Sequence, residues 1–67
     1  MIVYDVVPAA NAWVVRIAGD SMSEAFASKA EAVARARVLA QRDEAMVRVR
    51  GATGEIETEY APPSARH

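Results

Sequence analysis

The side chains most able to do chemistry in this chain are few, and their spacing suits surface contacts better than catalysis. Cysteine is absent and the single histidine, His67, stands alone. That leaves no thiolate nucleophile, no disulfide and no histidine or cysteine cluster for a metal. Ser21 and Ser23 carry hydroxyls, but no base lies near them in sequence to take a proton. Glu55, Glu57 and Glu59 alternate along one stretch. A strand would set them in a row, whereas a hard cation needs convergent oxygens. Gly51-x-x-Gly54 has the glycine spacing of an RNA-gripping GxxG loop, but that loop joins helices. Between two strand-like segments it reads as a hairpin turn. Phosphate-loop and dinucleotide signatures are missing. The sequence therefore predicts no catalytic residue, no cofactor and no metal site.

Two other groups of charges could serve binding. Lys29, Arg35, Arg37 and Arg42 fall within one helical stretch. Of these, Arg35 and Arg42 are the candidate phosphate contacts if the protein binds nucleic acid. The net charge of −1, from eight basic and nine acidic residues, argues against a partner held by bulk electrostatics. Asp5 and Arg16 each interrupt an otherwise apolar strand face, and are expected to form a diagonal ion pair at an interface or sheet rim.

The elements that must position these groups are legible from periodicity. Ile2 to Val7 is a β-branched and aromatic run, closed at Pro8, which cannot donate to a ladder. Ala12 to Ala18 alternates as a second strand. A four-residue connection would pair Val6 with Trp13 and Tyr4 with Val15. Ile2, Tyr4, Val6, Trp13, Val15 and Ile17 then share one face. Val3, Val7, Ala12, Val14 and Ala18 line the other, broken by Asp5 and Arg16. Residues 19–27 read as a polar connection anchored by Met22 and Phe26. Ser28 with Glu31 makes a capping box for a helix running to Gln41 or Arg42. Its inward stripe is Ala32, Val33, Ala36, Leu39 and Ala40, with Val38 outside.

Ala45 to Arg50 and Glu55 to Tyr60 complete a second hairpin. A four-residue loop would set Arg50 opposite Glu55 and Arg48 opposite Glu57, with Ile56, Thr58 and Tyr60 inward. The expected architecture is α+β, in the order β-β-α-β-β: a mainly antiparallel four-stranded sheet with one helix on one face. Residues 1–60 form the domain, and 61–67, without core residues, form a mobile tail. No apolar run reaches the roughly 20 residues of a membrane span. With no signal-peptide pattern at Met1-Ile2-Val3-Tyr4-Asp5, the expected location is cytoplasmic.

Trp13-x-Val15, Phe26-Ala27-Ser28-Lys29-Ala30-Glu31-Ala32 and Val47-x-Val49-x-Gly51-x-x-Gly54-x-Ile56 together carry a resemblance. From about Tyr4 to Tyr60 the chain resembles the bacterial domain-of-unknown-function family numbered 2188. Its members are short stand-alone proteins, and the resemblance implies no established activity, substrate or cofactor. Ser28 stands where the family usually has Thr, and Ala12 where Gly usually precedes the Trp. Arg50 occupies a position where His is common, so any role for that His does not transfer.

One helix cannot cover both faces of a sheet. The second face, with Val3, Asp5, Val7, Val14 and Arg16, is therefore the expected interaction surface. A second copy is the expected cover, making a homodimer that buries this face or joins strand edges, because two-fold homo-oligomers are the common case. The resulting expectation is a non-enzymatic interaction module, with an unidentified protein partner as a further occupant. The alternative is a nucleic-acid-binding accessory protein using Arg35 and Arg42.

Overall fold

The computed structural model describes residues 2–17, 19 and 23–65. Strand β1 (Val3–Ala9) turns at Ala10-Asn11 into β2 (Ala12–Ile17). β3 (Ser23–Phe26) then leads into the helix α1 (Lys29–Asp43), and β4 (Met46–Arg50) and β5 (Ile56–Tyr60) follow. The five strands make one mixed sheet in the order β3-β2-β1-β4-β5. β1 pairs with β4 in parallel, and every other neighbouring pair is antiparallel.

The expected four-stranded sheet gains a fifth strand, and its mainly antiparallel pairing includes one parallel pair. The segment read as a polar connection contains a fifth strand, β3, whose four residues pair with β2 from Trp13↔Phe26 to Arg16↔Ser23. Met22, the other expected anchor, lies outside the described residues, while Phe26 packs half-buried against the core. The two hairpins also join side by side through the parallel β1–β4 contact. The helical crossover between β3 and β4 makes that pairing possible, since parallel neighbours need a long connection.

The first hairpin has a tighter turn than expected. Its partners are Tyr4↔Ile17, Val6↔Val15 and Pro8↔Trp13, closed by Ala9↔Ala12. The shift from the expected pairing is two residues, so every side chain keeps its face. Pro8 lies inside β1 rather than ending it. In a two-residue hairpin the closing pair exchanges the hydrogen bonds, so Pro8 and Trp13 form a non-hydrogen-bonded pair. On the other side of Pro8, pairing with β4 stops at Val6↔Val49. Its missing N–H is demanded by neither neighbour.

The helix begins as its sequence dictates. Ser28 is extended, its hydroxyl accepts from the Glu31 N–H at 3.2 Å, and the hydroxyl also donates to the Glu31 carboxylate at 3.1 Å. At the other end Glu44 adopts a left-handed conformation, φ 56°, where glycine is usual. Ala32, Ala36 and Ala40 are buried, with Val33 and Leu39 packed beside them. Methyl-sized side chains bring the helix close to Tyr4, Val6, Val15, Val47 and Val49, which with Ala45 complete the core.

The second hairpin departs further. Arg48 faces Glu59 and Val49 faces Thr58, but Arg50 faces Ile56, so a bulge opens between Val49 and Arg50. The extra residue, Glu57, turns toward the helix side, where it meets Lys29 at 2.6 Å. Ile56 moves to the opposite face and is 48% exposed, and Thr58 is exposed as well. Of the three residues expected inward on β5, Tyr60 alone packs against the core. Beyond β5, residues 61–65 of the expected tail are described. Pro62 is buried, Pro63–Ala65 forms one 3-10 turn, and the Ser64 N–H donates to the Glu44 carboxylate at 3.2 Å.

Candidate interaction surface

Strand registers decide which charges meet on the face away from the helix. Directly paired residues share a face. Ser23 pairs with Arg16, Arg16 with Asp5, Asp5 with Arg48, and Arg48 with Glu59. One polar row therefore crosses the whole sheet, its four charges alternating in sign from Arg16 on β2 to Glu59 on β5. Apolar residues flank it. Val3 and Met46 lie on one side; Val14, Val7, Ala25 and Ile56 lie on the other, with Arg50 between Val7 and Ile56. Val3, Val7, Val14 and Met46 are half-buried in the single chain, Arg16 is exposed, and Asp5 is only 5% exposed.

Asp5 is the unusual member of the row. Arg50 Nε stands 3.6 Å from its Oδ1, a distance that gives ion pairing but no hydrogen bond. That oxygen has no hydrogen-bond partner. The expected diagonal pair with Arg16 is replaced: the two residues are direct cross-strand neighbours, and the ion pair of Asp5 is to Arg50. Arg50 also donates from Nη1 to the Gly54 carbonyl at 3.0 Å. Arg48 binds Glu59, not Glu57, at 3.1 Å. The bulge and the longer turn explain the change at Arg48, and the β1–β4 pairing brings Arg50 to Asp5.

The surface residues named from sequence, Val3, Asp5, Val7, Val14 and Arg16, thus stand together on one face. Met46, Arg48, Arg50, Ile56 and Glu59 join them there. Their alternation in sequence marks an outward face for β4, but only the β1–β4 pairing places that face beside Asp5.

The helix carries a different set of contacts. Arg35 pairs with Glu24 at 3.6 Å, and Arg42 with Asp43 at 3.0 Å. Arg37 stacks over Tyr60 at 4.6 Å, and Lys29 lies 5.5 Å from the Trp13 ring. Both arginines named as phosphate contacts are therefore held by carboxylates of their own chain. Asp43 is bound from two sides, since the Tyr4 hydroxyl donates to it from beneath. The Arg42 hydrogen bond, with that of Tyr4, holds the Asp43 carboxyl below its ordinary value. The bond to Asp43 and burial push the Tyr4 phenol up. At the second turn, Glu55 accepts from the Thr53 N–H at 3.2 Å, and the hydrogen bonds from Thr53 lower its carboxyl.

Among the described residues, no three acidic or histidine side chains converge as a metal site would require. No helix among them is long and apolar enough to cross a membrane.

The protein is thus a small α+β domain whose sheet is covered by a helix on one side and carries a charged and apolar surface on the other. It belongs to the bacterial family DUF2188, described as uncharacterized protein conserved in bacteria, whose pattern matches residues 4–61. Neither a curated protein nor a solved structure matches the chain.

Proposed function

We propose that the protein is a non-enzymatic interaction module that associates as a homo-oligomer through the open face of its sheet. One observation carries the reading. The face away from the helix sets a nearly buried carboxylate with an unpartnered oxygen, Asp5, among half-buried Val3, Val7, Val14 and Met46. A buried polar atom without a partner costs free energy, and half-buried valines gain by further cover. The valines thus favour a protein surface over water on this face. The nucleic-acid reading has less support, because Arg35 and Arg42 already face carboxylates.

Val14→Asp places a charge in the middle of this face without touching the helix side. Sedimentation of the parent chain should show mass rising with concentration, and Val14→Asp should remain monomeric with an unchanged far-ultraviolet circular dichroism spectrum. A parent chain that stays monomeric, or a variant that associates equally well, contradicts the proposal.

A further inference from the structure

We infer that the open face is built to receive a second copy of itself in one particular register, with the two-fold axis parallel to the strands and between β1 and β4. This rests on the proposed self-association and adds how the copies meet. Facing sheets pack with their strands within about 30° of each other, so one row of side chains meets one row of the partner. A two-fold axis along the strands reverses the strand order across the face. With the axis between β1 and β4, β1 lies over the β4 strand of the second copy and β2 over its β5.

The polar row then becomes self-complementary. Asp5 faces the partner's Arg48, and Arg16 faces the partner's Glu59, each contact occurring twice by symmetry. The flanking rows bring apolar residues together, except that Val7 faces the partner's Arg50. Val14 faces the partner's Ile56, and Val3 faces the partner's Met46. Ile56 is thereby given a cover that its own chain lacks, and it reaches this face only because of the bulge in β5. Asp5, only 5% exposed, thereby lies opposite an added guanidinium.

Other placements of the axis lose this match. Centred on β1, it sets Asp5 over the partner's Asp5 and Arg16 over the partner's Arg48, all like charges. Between β1 and β2, it keeps the contact of Arg16 with the partner's Asp5 but leaves Arg48 and Glu59 without an opposite charge. Like charges in juxtaposition discriminate strongly against a wrong register.

The register predicts an obligate mixed pair. In a pair of Arg16→Glu chains, the substituted carboxylate at position 16 meets the partner's Glu59, like against like. In a pair of Glu59→Arg chains, the substituted guanidinium at position 59 meets the partner's Arg16, again like against like. One chain of each variant restores both contacts with their signs exchanged at one of them. Sedimentation and fluorescence-detected association should be followed to about 500 µM, because a face of four short strands is small against the ~800 Å² per partner of a standard interface. Each reversal alone should raise the dissociation constant at least about tenfold, and the mixture should return to within about threefold of the parent chain. Reversal variants that associate like the parent, or a mixture no tighter than its components, overturn this register while leaving the Val14→Asp result to decide the broader proposal. A parent chain monomeric throughout overturns both. If circular dichroism shows that a reversal variant is unfolded, Arg16→Gln and Glu59→Gln take its place. Their double variant should then weaken association no more than either alone, and additive losses overturn the pairing.

Discussion

At the residue scale, the contact among Tyr4, Asp43 and Arg42 ties the central strand to the last turn of the helix. Its two titrating members shift in opposite directions, so the pH dependence has two limbs. Asp43 titrates below its ordinary value of 3.8 in the folded chain. Its contribution is fully present above that value and is lost as pH falls through the depressed one. Tyr4 titrates above its ordinary value of 10.0. Its contribution is fully present below that value and is lost as pH rises through the raised one. Tyr4→Phe keeps the buried ring and removes the hydroxyl. Urea unfolding at neutral pH should show a loss on the order of 1 kcal/mol. The variant should also lack the Tyr4 part of the alkaline decline expected of the parent chain above pH ~10. An unchanged midpoint, or an identical alkaline limb, would show that the hydroxyl does not hold the helix to the sheet.

At the element scale, the helix was the most legible part of the sequence. Ser28, Glu31 and the alanine stripe specify its start and its inward side, and those signals are local. The strands were legible as faces but less so as partners. A two-residue error in the first hairpin left Tyr4, Val6 and Val15 in the core, because the side-chain period of a strand is two. The one-residue bulge in β5 had the opposite effect, sending Ile56 outward and Glu57 toward Lys29. β3 escaped recognition because Ser23-Glu24-Ala25-Phe26 is short and its apolar content is slight, as an edge strand's often is. The β1–β4 pairing is a long-range choice that no local pattern announces, and it extends the polar row beyond Asp5 and Arg16. The alanine stripe itself is testable. Ala36 is fully buried between helix and sheet, so Ala36→Leu should destabilise the chain by about 1–3 kcal/mol through overpacking. A stable Ala36→Leu protein in urea unfolding would mean that the helix stands further from the sheet than its alanines require.

For the whole molecule, the two sides of the sheet have different roles. The helix side holds the core residues, while Val38, 59% exposed on the far side of the helix, stands apart from it. The open side holds charges that satisfy one another imperfectly within one chain, with Asp5 as the clearest case. On the proposed reading, association happens there and nowhere on the helix. Methyl nuclear magnetic resonance over a dilution series tests this most directly, because Val3, Val7, Val14, Met46 and Ile56 report from the open side and Val38 from the helix. Concentration-dependent shifts or broadening are expected for the first five methyl-bearing residues, with a constant signal for Val38. A series in which Val38 moves while the open-side methyls stay still, or in which no methyl responds, would contradict it.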